Sequence, residues 1–179
     1  MFDKLFRLMK SRRSVRKYTG EKVDRAEIEK IIKSALTAPS SYGKHPIEFV
    51  VLDDKELIKA VARCKTMGAG PLPYSEYAIV VMGDTEACDL WIEDCSVAST
   101  HILLAAEALG LGACWIHIRG RKGKVLSTSR EIKQLLHIPQ KYEILNIVAI
   151  GQKGEEKPAR DDSELHYENV HYNNFGTKF

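Results

Sequence analysis

Residues 102–118 read ILLAAEALGLGACWIHI, and this stretch sets the plan of the molecule. Its first half is apolar nearly all round, which is typical of a central helix that is covered on two sides. Gly110 and Gly112 end that helix, which is predicted to run from about Leu90 to Leu109. A short strand at 113–118 follows directly. A single small domain has one sheet, which covers one side of this helix. We therefore expect a second subunit to cover the other side.

Further helices and strands alternate on both sides of this stretch. Asp24 is a good N-cap with Glu27 three residues on, close to a capping box. The remaining elements are indicated by apolar periodicity: strands at 47–52, 78–82 and 142–150, and helices at 2–9, 54–61 and 132–136. The helix at 2–9 is expected to pack on the core, and residues 68–73 to form a loop. The order predicts an α/β or α+β fold, with a central sheet and helices on both faces.

Length and composition limit the class of protein. At roughly 150 residues per domain, the 179 residues predict a single domain, 1–179. The apolar fraction of 44% and the net charge of +3 exclude collagen, a disordered tail and a disulfide miniprotein, and give no overall reason to expect nucleic acid or a membrane as partner. No apolar run approaches the roughly 20 residues of a membrane-spanning helix.

The two ends of the chain and the cysteines give further expectations. The N-terminus has no secretory signal, and the four cysteines form no CxxC pair. We therefore expect a cytoplasmic protein with free, mostly buried thiols and no metal site. Residues 151–179 form a polar C-terminal extension whose aromatic end, His166 to Phe179, is expected to lie on the partner subunit.

Positive charge is concentrated at the N-terminus, where residues 11–17 read SRRSVRK. Two interpretations compete: a solvated or polyanion-binding face, and a phosphate site. Arg12, Ser14 and Arg16 share one side if the segment is extended, and guanidinium and hydroxyl groups are good ligands for a phosphate dianion. A nucleic-acid surface needs a longer basic stripe with interleaved aromatic residues, and Tyr18 is the only aromatic residue here.

Two loops carry the remaining polar groups. Residues 38–46 read APSSYGKHP, which is either a connection of turn-forming residues or a rigid loop with several hydrogen-bond donors. The pair Gly110 and Gly112 follows a helix and precedes a strand, the reverse of the Rossmann order, so a dinucleotide-binding loop of that kind is rejected.

Together, these segments resemble one family, the FMN-dependent NAD(P)H nitroreductases, and the chain resembles its short members. Residues 12–16 are similar to the family's RxSxR/K flavin motif, and 38–46 to its APSSxNxQPW segment. Residues 109–116 are similar to GLGxxW, and Gly151 with Pro158 and Arg160 to the family's C-terminal motif. The four segments occur in the family's order and cover nearly the whole chain.

The resemblance implies an α+β, three-layer fold with a mainly antiparallel or mixed sheet, and a homodimer that binds one FMN at each end of its interface. It implies that Arg12, Ser14 and Arg160 hold the FMN phosphate, while Arg16 lies near the flavin N1/O2 edge. The implied cofactor-binding set is Arg12, Arg13, Ser14, Arg16, Pro39, Ser40, Ser41, Gly43, His45, Ile116, His117 and Arg160.

Some of these positions have particular roles in the resemblance. Residues 39–41 are expected to come from the other subunit, and the backbone N–H groups near Ile116, His117 and Ile118 to face flavin N5 and O4. Gly43 and His45 stand where the family pattern has Asn and Gln, and Ile47 where it has Trp, which changes the contacts to substrate and flavin edge.

The implied activity is ping-pong transfer of hydride from NADH or NADPH to a flat conjugated acceptor such as a nitroaromatic compound, a quinone or a flavin. No side chain is nominated as catalytic acid or base, because the chemistry is the cofactor's. Three alternatives remain: another enzyme of the same fold, an FMN-binding protein without NAD(P)H turnover, and a small basic nucleic-acid-binding module.

Overall fold

Helices and strands alternate along the chain in the computed structural model, which describes residues 1–178; Phe179 lies outside the described residues. The helices and strands are α1 (Phe2–Ser11), α2 (Arg25–Leu36), β1 (Ile47–Leu52), α3 (Lys55–Arg63), β2 (Tyr77–Asp84), α4 (Trp91–Ala108), β3 (Leu111–His117), α5 (Thr128–Leu135) and β4 (Tyr142–Gln152). Short 3₁₀ turns lie at Ser41–Gly43, Leu72–Tyr74, Asp162–Glu164 and Tyr167–Asn169.

The four strands form one antiparallel sheet in the order β1-β2-β4-β3. The central strand β2 is apolar on both faces: Val80 points into the core beneath α3 and α5, while Ile79 and Val81 point into the core beneath α2 and α4. All three side chains are fully buried. This arrangement of two cores separated by a sheet confirms the predicted α+β, three-layer fold.

Helix termini follow the sequence signals closely. The Asp24 side chain accepts a hydrogen bond from the Ala26 N–H, and with Glu27 it completes the capping box at α2. Asp54, not Asp53, caps α3. Helix α4 ends just before Gly110, whose φ of 78° lies in the left-handed region that favours glycine.

Two expectations fail in detail. Helix α1 has no buried residue: Phe2 is 71% exposed and Met9 is 44% exposed. The expectation that it packs on the core is met only in part: α1 contacts α4 and Phe6 is half-buried, while the rest of its apolar stripe stays exposed. The loop at 68–73 runs into the 3₁₀ turn, where Leu72 is buried beneath α3.

The segment after α1 runs extended along the outer edge of β3. Ser14 bridges Ala113 in parallel, and the Val15 N–H donates to the Ala113 carbonyl over 3.0 Å. Val15 lies so close to Gly112 that a Cβ on that glycine would be 2.7 Å from the Val15 Cγ1. The absence of a side chain at Gly112 therefore allows this segment to lie close to the sheet.

Among residues 1–178, no helix combines the length and the apolar character that crossing a membrane demands.

Replacing Gly112 with alanine should displace Val15, because the added Cβ has no space in a packed core. The expected loss of unfolding free energy is about 1–3 kcal/mol, measured by urea denaturation. Gly70→Ala is the matched control, since a Cβ there would meet nothing within 4 Å. Equal stabilities for the two variants would contradict this account of Gly112.

Candidate functional site

A cationic cavity of about 230 Å³ lies where the two ends of the chain meet. Its lining comes from Arg13, Ser14 and Arg16 near the N-terminus and from Lys157 and Arg160 near the C-terminus. These groups are separated by more than 140 positions in the sequence. The cavity therefore depends on the path of the C-terminal segment over the N-terminal one.

Hydrogen bonds hold the two segments together. Arg13 Nη1 donates to the Pro158 carbonyl over 2.6 Å, and the Arg160 N–H donates to the Lys10 carbonyl over 3.0 Å. The Lys10 ammonium also pairs with Asp162 at 2.6 Å. The side chain of Arg13 is thus partly engaged in building the wall of the cavity, while Arg160 is fixed through its backbone.

One carboxylate, Glu155, organises the other side. Its Oε1 accepts a hydrogen bond from the Arg16 N–H over 2.6 Å and lies 3.2 Å from Lys157 Nζ. The hydrogen bond from Arg16 is the main reason why the pKa of Glu155 is lowered. Lys157 Nζ also donates to the Ser14 carbonyl over 2.5 Å. Glu155 therefore offsets the charge of Lys157, whereas Arg16 and Arg160 form no ion pair within residues 1–178.

Arg12 lies beside the cavity instead of on its lining. Burial lowers the pKa of its guanidinium, and the neighbouring Arg160 and Arg13 lower it further against the opposing effect of Glu107. Glu107 is in turn paired with Lys153 at 2.9 Å. Several guanidinium groups are thus held close together with an incomplete set of acidic partners, an arrangement that a bound anion stabilises.

The residue types suit a phosphate group. Arginine forks bind two oxygens of a phosphate, a lysine adds a point charge, and the Ser14 hydroxyl can donate to a third oxygen. A second cavity of about 420 Å³ shares Arg16 with the first and is lined in addition by Lys17, Tyr18, Tyr74 and two glycines. The charged pocket therefore opens beside a larger space with aromatic walls, which fits a ligand with a phosphate at one end and a flat ring system at the other.

The loop at 40–45 is tightly ordered around Asp94. The Ser41 N–H and hydroxyl both donate to Asp94 Oδ1, over 2.9 and 2.8 Å, and the Ser40 hydroxyl accepts from the His45 N–H over 3.0 Å. Gly43 and His45 both have positive φ, 65° and 46°. Pro39 precedes the loop and is exposed.

Asp94 is a residue that sequence reasoning did not place in the site. It is 4% exposed, and its Oδ2 is buried with no hydrogen-bond partner among residues 1–178. Its signal in the sequence was a carboxylate in the first turn of a helix that is mostly apolar. Such a buried carboxylate fixes the backbone of the loop that carries Ser41.

Within one chain, this loop and the cationic cavity lie far apart. Asp94 is in the first turn of α4, whereas Glu107, which faces Arg12, is in its last turn. At a rise of 1.5 Å per residue, the two are separated by about 20 Å along the helix. The structure therefore brings the N- and C-terminal site residues together but leaves Ser40, Ser41, Gly43 and His45 at the other end of α4.

The end of β3 carries the last two predicted positions. Ile116 is buried in the core, and His117 is half-buried. The Ile118 N–H donates to the Leu145 carbonyl of β4 over 2.9 Å. Because N–H groups alternate along a strand, the Ile116 N–H also faces β4 and the His117 N–H faces the outer edge of the sheet. Among the backbone N–H groups of Ile116, His117 and Ile118, that of His117 is therefore directed away from the sheet.

Comparisons with known proteins agree with this architecture. The model of the nitroreductase family matches residues 9–68 and 78–152. The solved structure of an FMN-dependent nitroreductase from Clostridium difficile R20291 is 43% identical, with 95% of this chain and 99% of that chain covered, and has a TM-score of 0.92. This likeness confirms the predicted nitroreductase-like fold.

Two curated relatives extend the comparison. A protein of Archaeoglobus fulgidus, provisionally named NADH dehydrogenase/NAD(P)H nitroreductase, is 33% identical over 159 residues, which cover 87% of this chain and 88% of that protein. An FMN reductase (NAD(P)H) of Bacillus subtilis is 23% identical, with 96% of this chain and 76% of that protein covered.

The imidazole of His117 should titrate below its ordinary range. Burial lowers its pKa first, and the nearby Arg121, Arg119 and Lys65 lower it further. Arg121→Gln removes one of these charges and should raise the pKa of His117 towards the ordinary value, measured by NMR titration. Lys30→Gln on α2 is the control and should leave the pKa of His117 unchanged. An unchanged His117 pKa would mean that Arg121 does not face the imidazole.

Proposed function

The chain belongs to the nitroreductase family, and we propose that it is an FMN-dependent oxidoreductase that takes hydride from NADH or NADPH and reduces a flat conjugated acceptor. The cationic cavity carries this proposal. Its guanidinium, ammonium and hydroxyl groups match the phosphate of FMN, and the adjoining cavity offers aromatic walls for a ring system. Nitroaromatic compounds, quinones and flavins are the acceptor class.

Each side of the cavity would have its own part in holding the cofactor. Arg160, Arg13 and Ser14 would bind the phosphate, with Arg12 adding positive potential from behind. Arg16 lines both cavities, so its guanidinium can reach beyond the phosphate towards the flavin N1/O2 edge. When bound, FMN supplies the redox chemistry, since it accepts a hydride from the donor and passes reducing equivalents to the acceptor.

The protein contributes position and electrostatics. A cation such as Arg16 stabilises negative charge at the flavin edge, and the outward N–H of His117 can donate a hydrogen bond without the help of a side chain. We expect donor and acceptor to use the same space in turn, which gives ping-pong kinetics. No side chain of the chain needs to act as acid or base.

A homodimer would complete the site. The loop at 40–45 is about 20 Å from the cationic cavity along α4 of its own chain, so it can serve a flavin only across a subunit interface. Apolar surface for such an interface is exposed on α1 and on the C-terminal segment, where Phe2, Leu5 and Phe175 are 71%, 47% and 94% exposed. The later part of the extension, from His166 on, is thus proposed to lie against the partner, while its earlier part is bonded to the N-terminal segment of its own chain.

Light scattering should give about twice the chain mass of 20.2 kDa. Replacing Phe2 and Leu5 together with serine should shift the protein towards the monomer and release FMN, because each bound flavin then loses its contacts from the partner. Leu36→Ser, on α2 and 64% exposed, is the control. A wild-type monomer that retains stoichiometric FMN would contradict the shared site.

The phosphate site is tested by comparing FMN with riboflavin, which lacks the phosphate. Arg160→Gln should weaken FMN binding about 10- to 100-fold, since one charge-assisted contact is lost, and leave riboflavin binding within about twofold. Lys30→Gln on α2 is the control. If Arg160→Gln weakened the binding of FMN and riboflavin equally, Arg160 would have a general structural role and would not bind the phosphate.

The function itself is tested by visible absorbance. FMN-loaded protein should show flavin bands that bleach under anaerobic NADH or NADPH and return when a quinone or nitroaromatic compound is added. Bands that remain unchanged with both donors would contradict the oxidoreductase proposal and leave an FMN-binding protein. Failure to take up FMN would contradict the cofactor assignment as well.

A further inference from the structure

A second group of basic side chains lies on two loops that follow α3 and β3. Its members, called here the second basic cluster, are Arg63, Lys65, Arg119, Arg121, Lys122 and Lys124. The sequence from 117 to 124 contains no acidic residue. Within residues 1–178, no member of the cluster forms an ion pair. The cluster is therefore a concentration of positive charge that no ion pair within residues 1–178 neutralises.

The loops that carry the cluster are well ordered. Thr66 Oγ1 donates to the Lys122 carbonyl over 3.2 Å, which ties the two loops together. The Thr128 N–H donates to the Arg121 carbonyl over 2.9 Å. Glu131 accepts hydrogen bonds from the backbone N–H groups of Val125 and Leu126 over 2.8 and 2.9 Å. These bonds are the main reason why the pKa of Glu131 is lowered, and the charge of Lys124 lowers it further.

The charges are close enough to act on one another. Burial lowers the pKa of Lys65, and Arg121 lowers it further. The same Arg121, together with Arg119 and Lys65, lowers the pKa of His117. The hydrogen bond from Thr66 to Lys122 brings the loop that carries Lys65 beside the loop that follows His117, the last residue of β3, so the charges lie near one another around the end of β3. An anion bound there would relieve their repulsion.

This surface adjoins the space proposed for the flavin. Arg119 and Arg121 follow His117, whose N–H points away from β4, within four positions. A third cavity of about 360 Å³ is lined by Arg63, Lys65 and the loop from 66 to 70, and it shares Gly70 with the cavity lined by Tyr18 and Tyr74. These neighbouring cavities, together with the phosphate pocket that shares Arg16, are called here the flavin groove.

We propose that the second basic cluster binds the phosphate groups of the dinucleotide hydride donor and gives preference to NADPH over NADH. The inference rests on the proposed function, since it names the donor that uses the other end of the flavin groove. Six cations spread over two loops suit a ligand with several separated phosphates better than one with a single carboxylate. The 2′-phosphate of NADPH adds nearly two negative charges at neutral pH, so it gains more from the cluster than NADH does.

Equilibrium binding to FMN-loaded protein tests the proposal without turnover. Isothermal titration with NADP⁺ and NAD⁺ compares wild type with the double variant Arg119→Gln and Arg121→Gln. The NADP⁺ dissociation constant should rise about tenfold or more, as expected for lost charge-assisted contacts, with a smaller rise for NAD⁺. The wild-type preference for NADP⁺ should also shrink as salt screens the cluster.

Matched controls separate binding from folding. Lys122→Gln with Lys124→Gln changes exposed side chains only and should shift NADP⁺ binding in the same direction. Lys30→Gln on α2, on the other face of the sheet, should leave NADP⁺ binding unchanged. Rapid-reaction measurements should show a higher apparent dissociation constant for NADPH in the double variant, with a limiting rate of flavin bleaching within about twofold of wild type.

Three results would overturn the inference. One is an unchanged dissociation constant for NADP⁺ in both double variants. Another is that the double variants lose affinity for NADP⁺ and NAD⁺ equally and also lose FMN. That result would assign the substituted residues to the flavin site. The third is that the wild-type protein binds FMN but neither donor bleaches the flavin, which would contradict the proposed function and the inference together. If the flavin is bleached and the variants bind NADP⁺ as the wild type does, the inference alone is contradicted.

Discussion

The hydrogen bonds between the segment before residue 20 and the segment after residue 151 are the constraint on which the site depends. Arg13 donates to Pro158, the Arg160 N–H donates to Lys10, and the Gly154 N–H donates to Lys17. Without these contacts, the basic groups at the two ends of the chain would have no reason to meet, because their charges repel. Directional backbone bonds and packing on the sheet hold them in place. The result is a pocket whose positive charge is built before any anion arrives.

Most of the fold could be predicted from the sequence because its elements have strong local signals. The apolar run of β2, the capping box at Asp24 and the glycine after α4 each depend on neighbouring residues only. The position of α1 could not be predicted in this way. Amphipathic spacing shows that Phe2 and Met9 share a face, but it says nothing of what covers that face, and α4 covers only part of it.

The site was predictable in its segments but not in its contacts. The basic run at 12–16 pointed to phosphate, yet simple alternation put Arg12 beside Ser14. In the structure Arg12 is the C-cap of α1 and lies beside the cavity, whereas Arg13 reaches the lining together with Ser14 and Arg16. The role of Glu155 was hidden, because its partner Arg16 lies 139 positions away. Asp94 had a weak local signal, a carboxylate on an apolar helix, but its contact with Ser41 required the fold.

A net charge of +3 conceals this organisation. The net charge gives only the excess of basic over acidic side chains. Binding of an anion depends instead on where cationic side chains lie without acidic neighbours. Asp24, Asp54 and Glu131 are engaged with backbone N–H groups at helix and loop ends, where they stabilise local structure. Because these acids bind backbone N–H groups, several cations along the groove, Arg16 and Arg160 among them, form no ion pair within residues 1–178, although Glu155 pairs with Lys157. Local geometry, more than composition, therefore makes this groove suitable for phosphate-bearing ligands.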